Sequence, residues 1–337
     1  MSGISISRRT ALSGLLASTS IAACGGEGKG AIAPVRVSLR QEWYPFSGYA
    51  GEVLAADQFA KAQGVSLIVK PGGAAIDPIR SVVGGNDDIG VASADLLIEA
   101  VARGADIQCI GVINDMSPTC FLVKADSEIR SPADFVGRRV GILAGTNTEK
   151  IYQLMMSRNN IDRSRIEEIE VPFEPNTFIT GEYDVRPAFV YDEPVTLDRA
   201  SVNYDTISPQ DFGVEFIGTV YFASRSRIER DPDSLIAVLA ALVRGWSEVA
   251  TQEGQTRAIT ALKKQFPEVD EQRELESLKL GASLFLGPDG KSPLKSSREH
   301  WQNTIDGLVE LGALEQGRIS ISDVLNETLL GKAYGKQ

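Results

Sequence analysis

The sequence is poor in the residues that carry most enzymatic and metal chemistry. Its 337 residues include one histidine, His300, and three cysteines, Cys24, Cys109 and Cys120. No cluster of Cys and His has the spacing of a metal site, so neither a metal nor another cofactor is expected. A catalytic triad would depend on His300 alone, and the sequence around it is typical of an exposed helix face. The composition therefore favours a protein that is not an enzyme.

Positive charge is also in deficit. The chain has 34 Lys and Arg residues against 45 Asp and Glu residues, a formal net charge of −11. This acidity argues against a nucleic-acid partner and against broad adhesion to anionic lipid, because both depend on clustered cations. The length and the 43% hydrophobic content are enough for two domains with cores of their own.

No apolar run is long enough to span a bilayer in the mature protein. The charge-free run at residues 11–23 follows the pair Arg8-Arg9, and this combination is typical of a signal peptide. The pair resembles a twin-arginine export signal. Ala11 stands where that signal usually has an aromatic residue and Ser13 where it usually has a lysine, so Sec export stays open.

The run ends at Ile21-Ala22-Ala23-Cys24, which resembles the lipobox of bacterial lipoproteins. We therefore expect a signal peptide at residues 1–23, a lipidated Cys24 and a Gly-rich tether at residues 24–33. The predicted location is outside the cytoplasm, on the periplasmic or extracellular side. The lipid anchor would be the protein's single contact with the membrane.

Strand and helix patterns alternate in the first third of the chain after the tether. Apolar strand patterns at residues 35–39, 65–69, 89–93 and 107–113 are separated by helical periodicities. This order predicts a parallel sheet with helices on both faces.

A second, smaller α/β unit follows, and its strand at residues 184–192 contains Pro187, which indicates an edge strand or a bulge. Residues 215–223 are predicted to return to the first sheet. The fold class is therefore α/β, with two doubly wound sheets around a cleft. The predicted division is lobe 1 at 34–120 and 213–337, and lobe 2 at 121–212. Clefts between such lobes are common sites for small molecules.

An aromatic loop at residues 41–51 joins the first strand to the first helix. It contains Trp43, Tyr44, Phe46 and Tyr49. Ligands of open α/β sheets bind at the carboxyl ends of strands, so these rings predict a stacking platform for a flat solute. Phe46 is the ring for which a purely structural role in the core is favoured.

Five segments carry a family resemblance: Glu42-Trp43-Tyr44-Pro45 and residues 89–95, 131–141, 181–184 and 191–194. Together they resemble substrate-binding proteins of ABC importers, in particular the NMT1/THI5-like group of thiamine-pyrimidine and sulfonate binders. The resemblance spans about residues 35–260. It implies a bilobal periplasmic-binding-protein type II fold, a monomer that delivers its solute to an ABC permease and its ATPase, and no catalysis.

The resemblance also implies a set of ligand-binding residues around the cleft. The first lobe would supply aromatic side chains and polar strand ends, and the second lobe a helix start and an acidic turn. Ser93 and Thr148 have the alternative of serving as helix caps, and Glu193 that of a solvated loop residue. The predicted residues are Trp43, Tyr44, Tyr49, Ser93, Asn114, Thr146, Asn147, Thr148, Tyr191 and Glu193.

The ligand class depends on which charge faces the cleft. Strand alternation places Arg186 and Glu193 on opposite faces, and we expect Glu193 to point inward. A buried carboxylate favours an amine-bearing heterocycle such as a thiamine-pyrimidine precursor. An inward Arg186 would instead favour a sulfonate or another small anion. A pyrimidine-synthase-like enzyme and a ligand sensor are further, less favoured alternatives.

Overall fold

The computed structural model describes residues 33–336. The predicted signal peptide, the lipidation site Cys24 and all but the last residue of the predicted tether lie outside this range. Within it, no helix combines the length and the apolar character needed to cross a membrane.

Ten strands and thirteen α-helices make up the described chain. The strands are β1 (Val35–Arg40), β2 (Val65–Lys70), β3 (Ile89–Ser93), β4 (Ile107–Val112), β5 (Thr119–Lys124), β6 (Arg139–Ile142), β7 (Glu167–Glu170), β8 (Val185–Phe189), β9 (Tyr204–Ile207) and β10 (Thr219–Ser224).

The helices are α1 (Ala50–Leu54), α2 (Pro78–Val83), α3 (Ala94–Ala102), α4 (Asn147–Arg158), α5 (Asn176–Ile179), α6 (Glu193–Arg199), α7 (Arg225–Arg230), α8 (Pro232–Glu248), α9 (Gln252–Gln265), α10 (Glu271–Gly281), α11 (Arg298–Glu310), α12 (Ile321–Val324) and α13 (Glu327–Tyr334). The first helix continues beyond α1 as a π-helical segment, Ala55–Phe59, and a 3₁₀ segment, Ala60–Gln63.

The first sheet has the strand order β2-β1-β3-β10-β4. Strands β1, β2 and β3 are parallel, and β10 pairs antiparallel with both β3 and β4. The predicted return of the chain to this sheet near residue 219 is therefore confirmed. Because β1 and β3 are neighbours, the aromatic loop after β1 and Ser93 at the end of β3 lie at the same edge of the sheet.

The second sheet has the order β7-β6-β8-β5-β9. All its strands lie between residues 119 and 207, and the chain passes between the sheets in residues 113–118 and 208–218. The lobe limits given above stay a prediction.

The prediction that Pro187 marks an edge or a bulge is wrong, because β8 is the central strand of the second sheet. Pro187 is in register with Phe121 of β5, whereas the pairing of β8 with β6 is limited to Val185 and Val140. Pro187 lies beyond that short pairing, so its missing N–H removes no bond to β6.

Helix α8 is the central helix of the first lobe. Its apolar side chains from Leu235 to Trp246 are buried, and its alanines are buried as well. Helix α1 approaches it closely: a Cβ on Gly245 would lie 2.1 Å from the Gly51 carbonyl oxygen, and a Cβ on Gly51 would lie 2.2 Å from the Trp246 ring. The two glycines therefore fix the position of α1, and α1 fixes the aromatic loop that precedes it.

Glu52 of α1 is an acid inside this core. Its side chain is fully buried, and its carboxyl oxygens have no hydrogen-bond partner among residues 33–336. Burial raises the pKa of Glu52 well above its ordinary value, because the charged form would lose its hydration. The folded protein therefore holds this carboxyl in its neutral form at pH values where the unfolded chain releases the proton.

We predict that Glu52 makes the protein less stable as pH rises. The folded state binds the extra proton above the ordinary pKa of a glutamate, so the free energy of unfolding falls by up to about 1.4 kcal/mol per pH unit until the raised pKa is reached. Glu52→Gln should remove this term, so its stability relative to the wild type should increase between pH 5 and pH 8. Urea unfolding at both pH values measures the difference.

Glu229→Gln, at an exposed position of α7, is the matched control, and its difference from the wild type should not change with pH. A Glu52→Gln difference that is equal at pH 5 and pH 8 would show that Glu52 is not held neutral.

Candidate functional site

A cleft of about 720 Å³ lies between the two sheets and is lined by residues of both. It is bounded by the aromatic loop and the ends of β3 and β4 on one side, and by the start of α4 and the turn after β8 on the other. All ten residues predicted from the sequence lie in its lining: Trp43, Tyr44, Tyr49, Ser93, Asn114, Thr146, Asn147, Thr148, Tyr191 and Glu193. Which of them contacts a solute stays a prediction.

Two buried tyrosines form the inner wall of the cleft. Tyr49 and Tyr191 are 4% and 2% exposed, and Phe46 contacts both, edge-to-face with Tyr49 at 4.9 Å and nearly parallel to Tyr191 at 6.3 Å between ring centroids. Phe46 also packs against the core of the first lobe, as the structural alternative expected. Burial raises the pKa of both tyrosines, so their hydroxyls stay protonated. The Tyr49 hydroxyl accepts the Trp43 N–H at 3.0 Å.

The mouth of the cleft is closed partly by aromatic side chains from both lobes. The Trp43 ring lies 4.6 Å from that of Phe173, which follows β7, and 5.3 Å from that of Tyr44. Sequence reasoning missed Phe173, because a single aromatic residue in a loop has no periodicity. Its position directly after a strand of an α/β sheet was the available signal.

Glu193 is held at the start of α6 by two partners. Its Oε2 accepts the Phe189 N–H at 2.8 Å, and its Oε1 lies 3.3 Å from Arg186 Nη2. Burial, together with the nearby charge of Asp192, raises the pKa of Glu193 to about 7 against the opposing effect of Arg186. The carboxyl is therefore poised between its charged and neutral forms at neutral pH.

The predicted separation of Arg186 and Glu193 onto opposite faces is wrong. Strand β8 ends at Phe189, and a turn at residues 190–192 interrupts the alternation. Arg186 is fully buried behind Glu193 and does not line the cleft. It also donates to Tyr183 Oη at 2.8 Å and to the carbonyl oxygens of Pro172 and Phe173. The hydrogen bonds of Arg186 are therefore made to groups of the second lobe.

Glu42 is a second acid in the cleft and was absent from the predicted site. Its Oε1 accepts the Ser93 N–H at 3.1 Å, and burial raises its pKa to about 7. The Ser93 side chain makes no capping hydrogen bond to α3, so the alternative role of Ser93 as a side-chain cap is not observed. The sequence feature that could have indicated Glu42 as a site residue is its position beside Trp43, just after the carboxyl end of β1.

Polar side chains near the start of α4 form hydrogen bonds with one another and with the backbone. The Thr146 hydroxyl shares a hydrogen bond with that of Thr148 at 2.7 Å and donates to the Leu143 carbonyl at 2.6 Å. The Glu149 carboxylate accepts the Gly145 N–H at 2.7 Å. The Glu149 carboxylate therefore adds a negative charge near the start of α4, and this charge weakens the attraction of the helix N-terminus for an anion.

Asn147 and Lys150 of α4 reach across to the first lobe. Asn147 Nδ2 donates to Asp95 Oδ1 at 2.8 Å, and Lys150 Nζ donates to Asp95 Oδ2 at 2.7 Å. Lys150 also pairs with Glu99 at 2.6 Å, and the Asp95 side chain is fully buried. The Asn147 amide group therefore forms a hydrogen bond between the two lobes. Asn114 of the first lobe donates to the Leu284 carbonyl at 3.4 Å.

The cations at the cleft are paired as well. Arg273 of α10 pairs with Asp192 of the second lobe and, at 2.6 Å, with Glu274. Arg103 pairs with Glu99 at 3.4 Å. Across residues 33–336, every Lys or Arg that lines the cleft has a carboxylate partner.

His300, Cys109 and Cys120 lie outside the cleft. His300 Nδ1 lies 2.9 Å from Asp115 Oδ2. Cys109 on β4 and Cys120 on β5 are buried, unpaired and in different sheets, and burial raises the pKa of Cys109 to about 12. In the described part of the chain, no three His, Cys, Asp or Glu side chains are arranged to hold a metal ion.

We predict that the Asp95–Lys150 pair contributes to stability across the cleft. Lys150→Met leaves a buried carboxylate with one neutral partner and should lower the free energy of unfolding by about 2–3 kcal/mol. Asp95→Asn combined with Lys150→Met should cost less than the sum of the single changes, because the charges are removed together. Denaturant unfolding of the four proteins measures this coupling. Additive costs would contradict a direct interaction.

Comparison with known proteins supports this architecture. A family model described as "NMT1/THI5 like" matches residues 49–255. The periplasmic aliphatic sulphonate binding protein SsuA from Escherichia coli has a similar structure, with a TM-score of 0.66 at 17% identity over 87% of this chain and 92% of that one. The predicted two-lobed periplasmic-binding-protein fold is therefore confirmed.

Two curated relatives are similar in sequence. The formylaminopyrimidine-binding protein of Halalkalibacterium halodurans is 24% identical over 293 residues, which cover 83% of this chain and 86% of that protein. The 4-amino-5-hydroxymethyl-2-methylpyrimidine phosphate synthase of Legionella pneumophila is 31% identical over 142 residues, 40% of this chain and 43% of the enzyme.

Proposed function

The chain belongs to the NMT1/THI5-like family, and on that premise we propose that it is the solute-binding component of an ABC importer. Its solute is a small amine-bearing heterocycle of the thiamine-pyrimidine class, captured in the cleft between the lobes. The observation that carries this proposal is the pairing of aromatic walls with two carboxyl groups in one cavity. An ABC permease with its ATPase is the proposed partner, and Cys24 the proposed anchor.

The two carboxyl groups supply hydrogen-bond acceptors from opposite lobes. Glu42 follows β1 of the first sheet, and Glu193 follows β8 of the second. Each uses one oxygen on a backbone N–H, at Ser93 and Phe189, which fixes its orientation. The pKa of each is raised to about 7 by burial, so a solute that donates N–H groups to them would stabilise their charged forms.

The aromatic side chains suit a flat ring. Trp43, Tyr49 and Tyr191 line the cleft, and aromatic contacts stabilise an aromatic solute beyond simple burial of apolar area. The relative from Halalkalibacterium halodurans, by its name a formylaminopyrimidine-binding protein, supports a solute of this kind.

The charge inventory disfavours a sulfonate or another small anion, although a structural neighbour binds sulphonates. A sulfonate needs an unpaired cation or free N–H groups. Arg273 is paired with Asp192 and Glu274, and Arg186 is buried behind Glu193. The Glu149 carboxylate accepts the Gly145 N–H and adds a negative charge near the start of α4.

The partial similarity to a pyrimidine phosphate synthase raises an enzymatic alternative. The cleft offers a ring platform and two carboxyls, but its lining within residues 33–336 includes neither histidine nor cysteine. Reversible capture without turnover is therefore the function that the cleft residues favour.

We predict that 4-amino-5-hydroxymethyl-2-methylpyrimidine binds reversibly, raises the Tm and is recovered unchanged. Glu193→Gln should weaken its Kd at least about tenfold, because a hydrogen bond to a charged acceptor contributes roughly 1.5–3 kcal/mol. Thermal-shift screening followed by isothermal titration calorimetry measures both effects. Taurine and ethanesulfonate serve as the anionic comparison.

Glu182→Gln, at an exposed carboxyl of the same lobe, should leave the Kd unchanged. Binding confined to the sulfonates would contradict the proposal and move attention to Arg273 and the start of α4. Conversion of the pyrimidine to another product would show that the protein is an enzyme.

A further inference from the structure

The cleft is larger than a single small heterocycle requires. An aminopyrimidine with short substituents has about ten non-hydrogen atoms, and even at a water molecule's share of roughly 30 Å³ each it would fill about 300 Å³. The cleft measures about 720 Å³, which is within the range of cavities that hold drug-sized ligands. More than half of its volume is therefore left over.

The cleft changes character between its inner and outer parts. The inner part is bounded by side chains that are almost fully buried, among them Tyr49, Asn114 and Tyr191. The outer part is lined by Tyr44, Ile76 and Phe173, which are 56%, 42% and 47% exposed. Six large hydrophobic side chains of the described chain are this exposed, and three of them line this one mouth. Clustered exposed apolar groups of this kind mark binding surfaces.

Aliphatic side chains continue this apolar surface into the cleft. Ile79 of α2, Leu96 of α3 and Leu143 after β6 line it together with the exposed three. Ile76, Leu96 and Phe173 are not members of the hydrophobic clusters that form the cores of residues 33–336. Apart from the part of Phe173 that packs on Trp43, their apolar surface is therefore available to a bound molecule.

The outer surface is fixed by backbone hydrogen bonds. The Gly72 and Gly73 N–H groups donate to the carbonyl oxygens of Trp43 and Glu42 at 3.0 and 3.3 Å, and the Ile76 N–H donates to the Gly73 carbonyl at 2.8 Å. A Cβ on Gly73 would lie 2.9 Å from the Tyr44 ring, so the glycine permits this close packing. The segment that carries Ile76 is thus attached to the aromatic loop of the inner site.

We infer that Tyr44, Ile76, Leu96 and Phe173 form an outer apolar subsite that binds an aromatic or aliphatic arm of the solute, while its amine-bearing ring occupies the inner part. The solute class is then a two-part molecule with a polar heterocyclic head and an apolar arm. The inference about the heterocyclic head depends on the function proposed above, whereas the inference about the apolar arm depends only on the residues of the outer surface.

A matched series of probes tests the subsite. The N-formyl and N-benzoyl amides of 4-amino-5-aminomethyl-2-methylpyrimidine share the head and differ in the arm. Titration calorimetry of the purified protein should give a Kd at least about tenfold lower for the benzoyl amide, because a phenyl ring is removed from water. Most of this gain should disappear in Ile76→Ser and in Phe173→Ser, while binding of the formyl amide changes little.

Val83→Ser is the matched control, since Val83 is an exposed aliphatic residue of α2 that does not line the cleft. It should keep the full gain. A benzoyl amide that binds no tighter than the formyl amide would overturn the outer subsite and leave the proposed function intact.

Methanesulfonate and benzenesulfonate form a second pair with an anionic head. If sulfonates bind and the pyrimidines do not, the proposed function is wrong. A tighter benzenesulfonate complex whose gain is lost in Ile76→Ser would then still support the subsite, and equal affinities of the two sulfonates would overturn it as well.

Discussion

A carboxylate that leaves water must be met by a cation or by N–H groups, and this constraint determines how the two lobes meet. Asp95, fully buried in the first lobe, receives Asn147 and Lys150 from the second. Asp192 of the second lobe receives Arg273 from the first. Each pair joins an acid of one lobe to a cation of the other, so both pairs help to hold together the two lobes that bound the cavity.

The need of a buried carboxylate for partners also distinguishes acids with a structural role from acids suited to bind a solute. Asp95 is satisfied by protein groups alone. Glu42 and Glu193 are each held by a backbone N–H while lining the cavity, and burial keeps the pKa of both near 7. Glu52 is the opposite case, since its carboxyl lies in the core without a described partner and stays protonated. Burial alone therefore does not make a binding site, because Glu52 cannot be reached by a solute.

The features that the sequence predicted well depend on local periodicity. Strands β1 to β4 and the aromatic loop after β1 each follow from patterns within about twenty residues. The errors arise where a turn changes the pattern. The turn at residues 190–192 brings Glu193 onto Arg186, and the short pairing between β6 and β8 admits Pro187 in a central strand. Phe173 and Glu42 were missed because their roles depend on contacts between distant segments.

The turn after β8 also shows why the fold does not determine the ligand. An arginine in this strand was the sequence's strongest argument for an anionic solute, and structural neighbours with sulphonate ligands share the architecture. Because the strand stops at Phe189, the Glu193 carboxyl faces the cavity and Arg186 supports it from behind. Had the alternation continued, the two charges would have pointed to opposite faces of the sheet. The turn at residues 190–192 therefore places the Glu193 carboxyl against Arg186, and it is the carboxyl that lines the cavity.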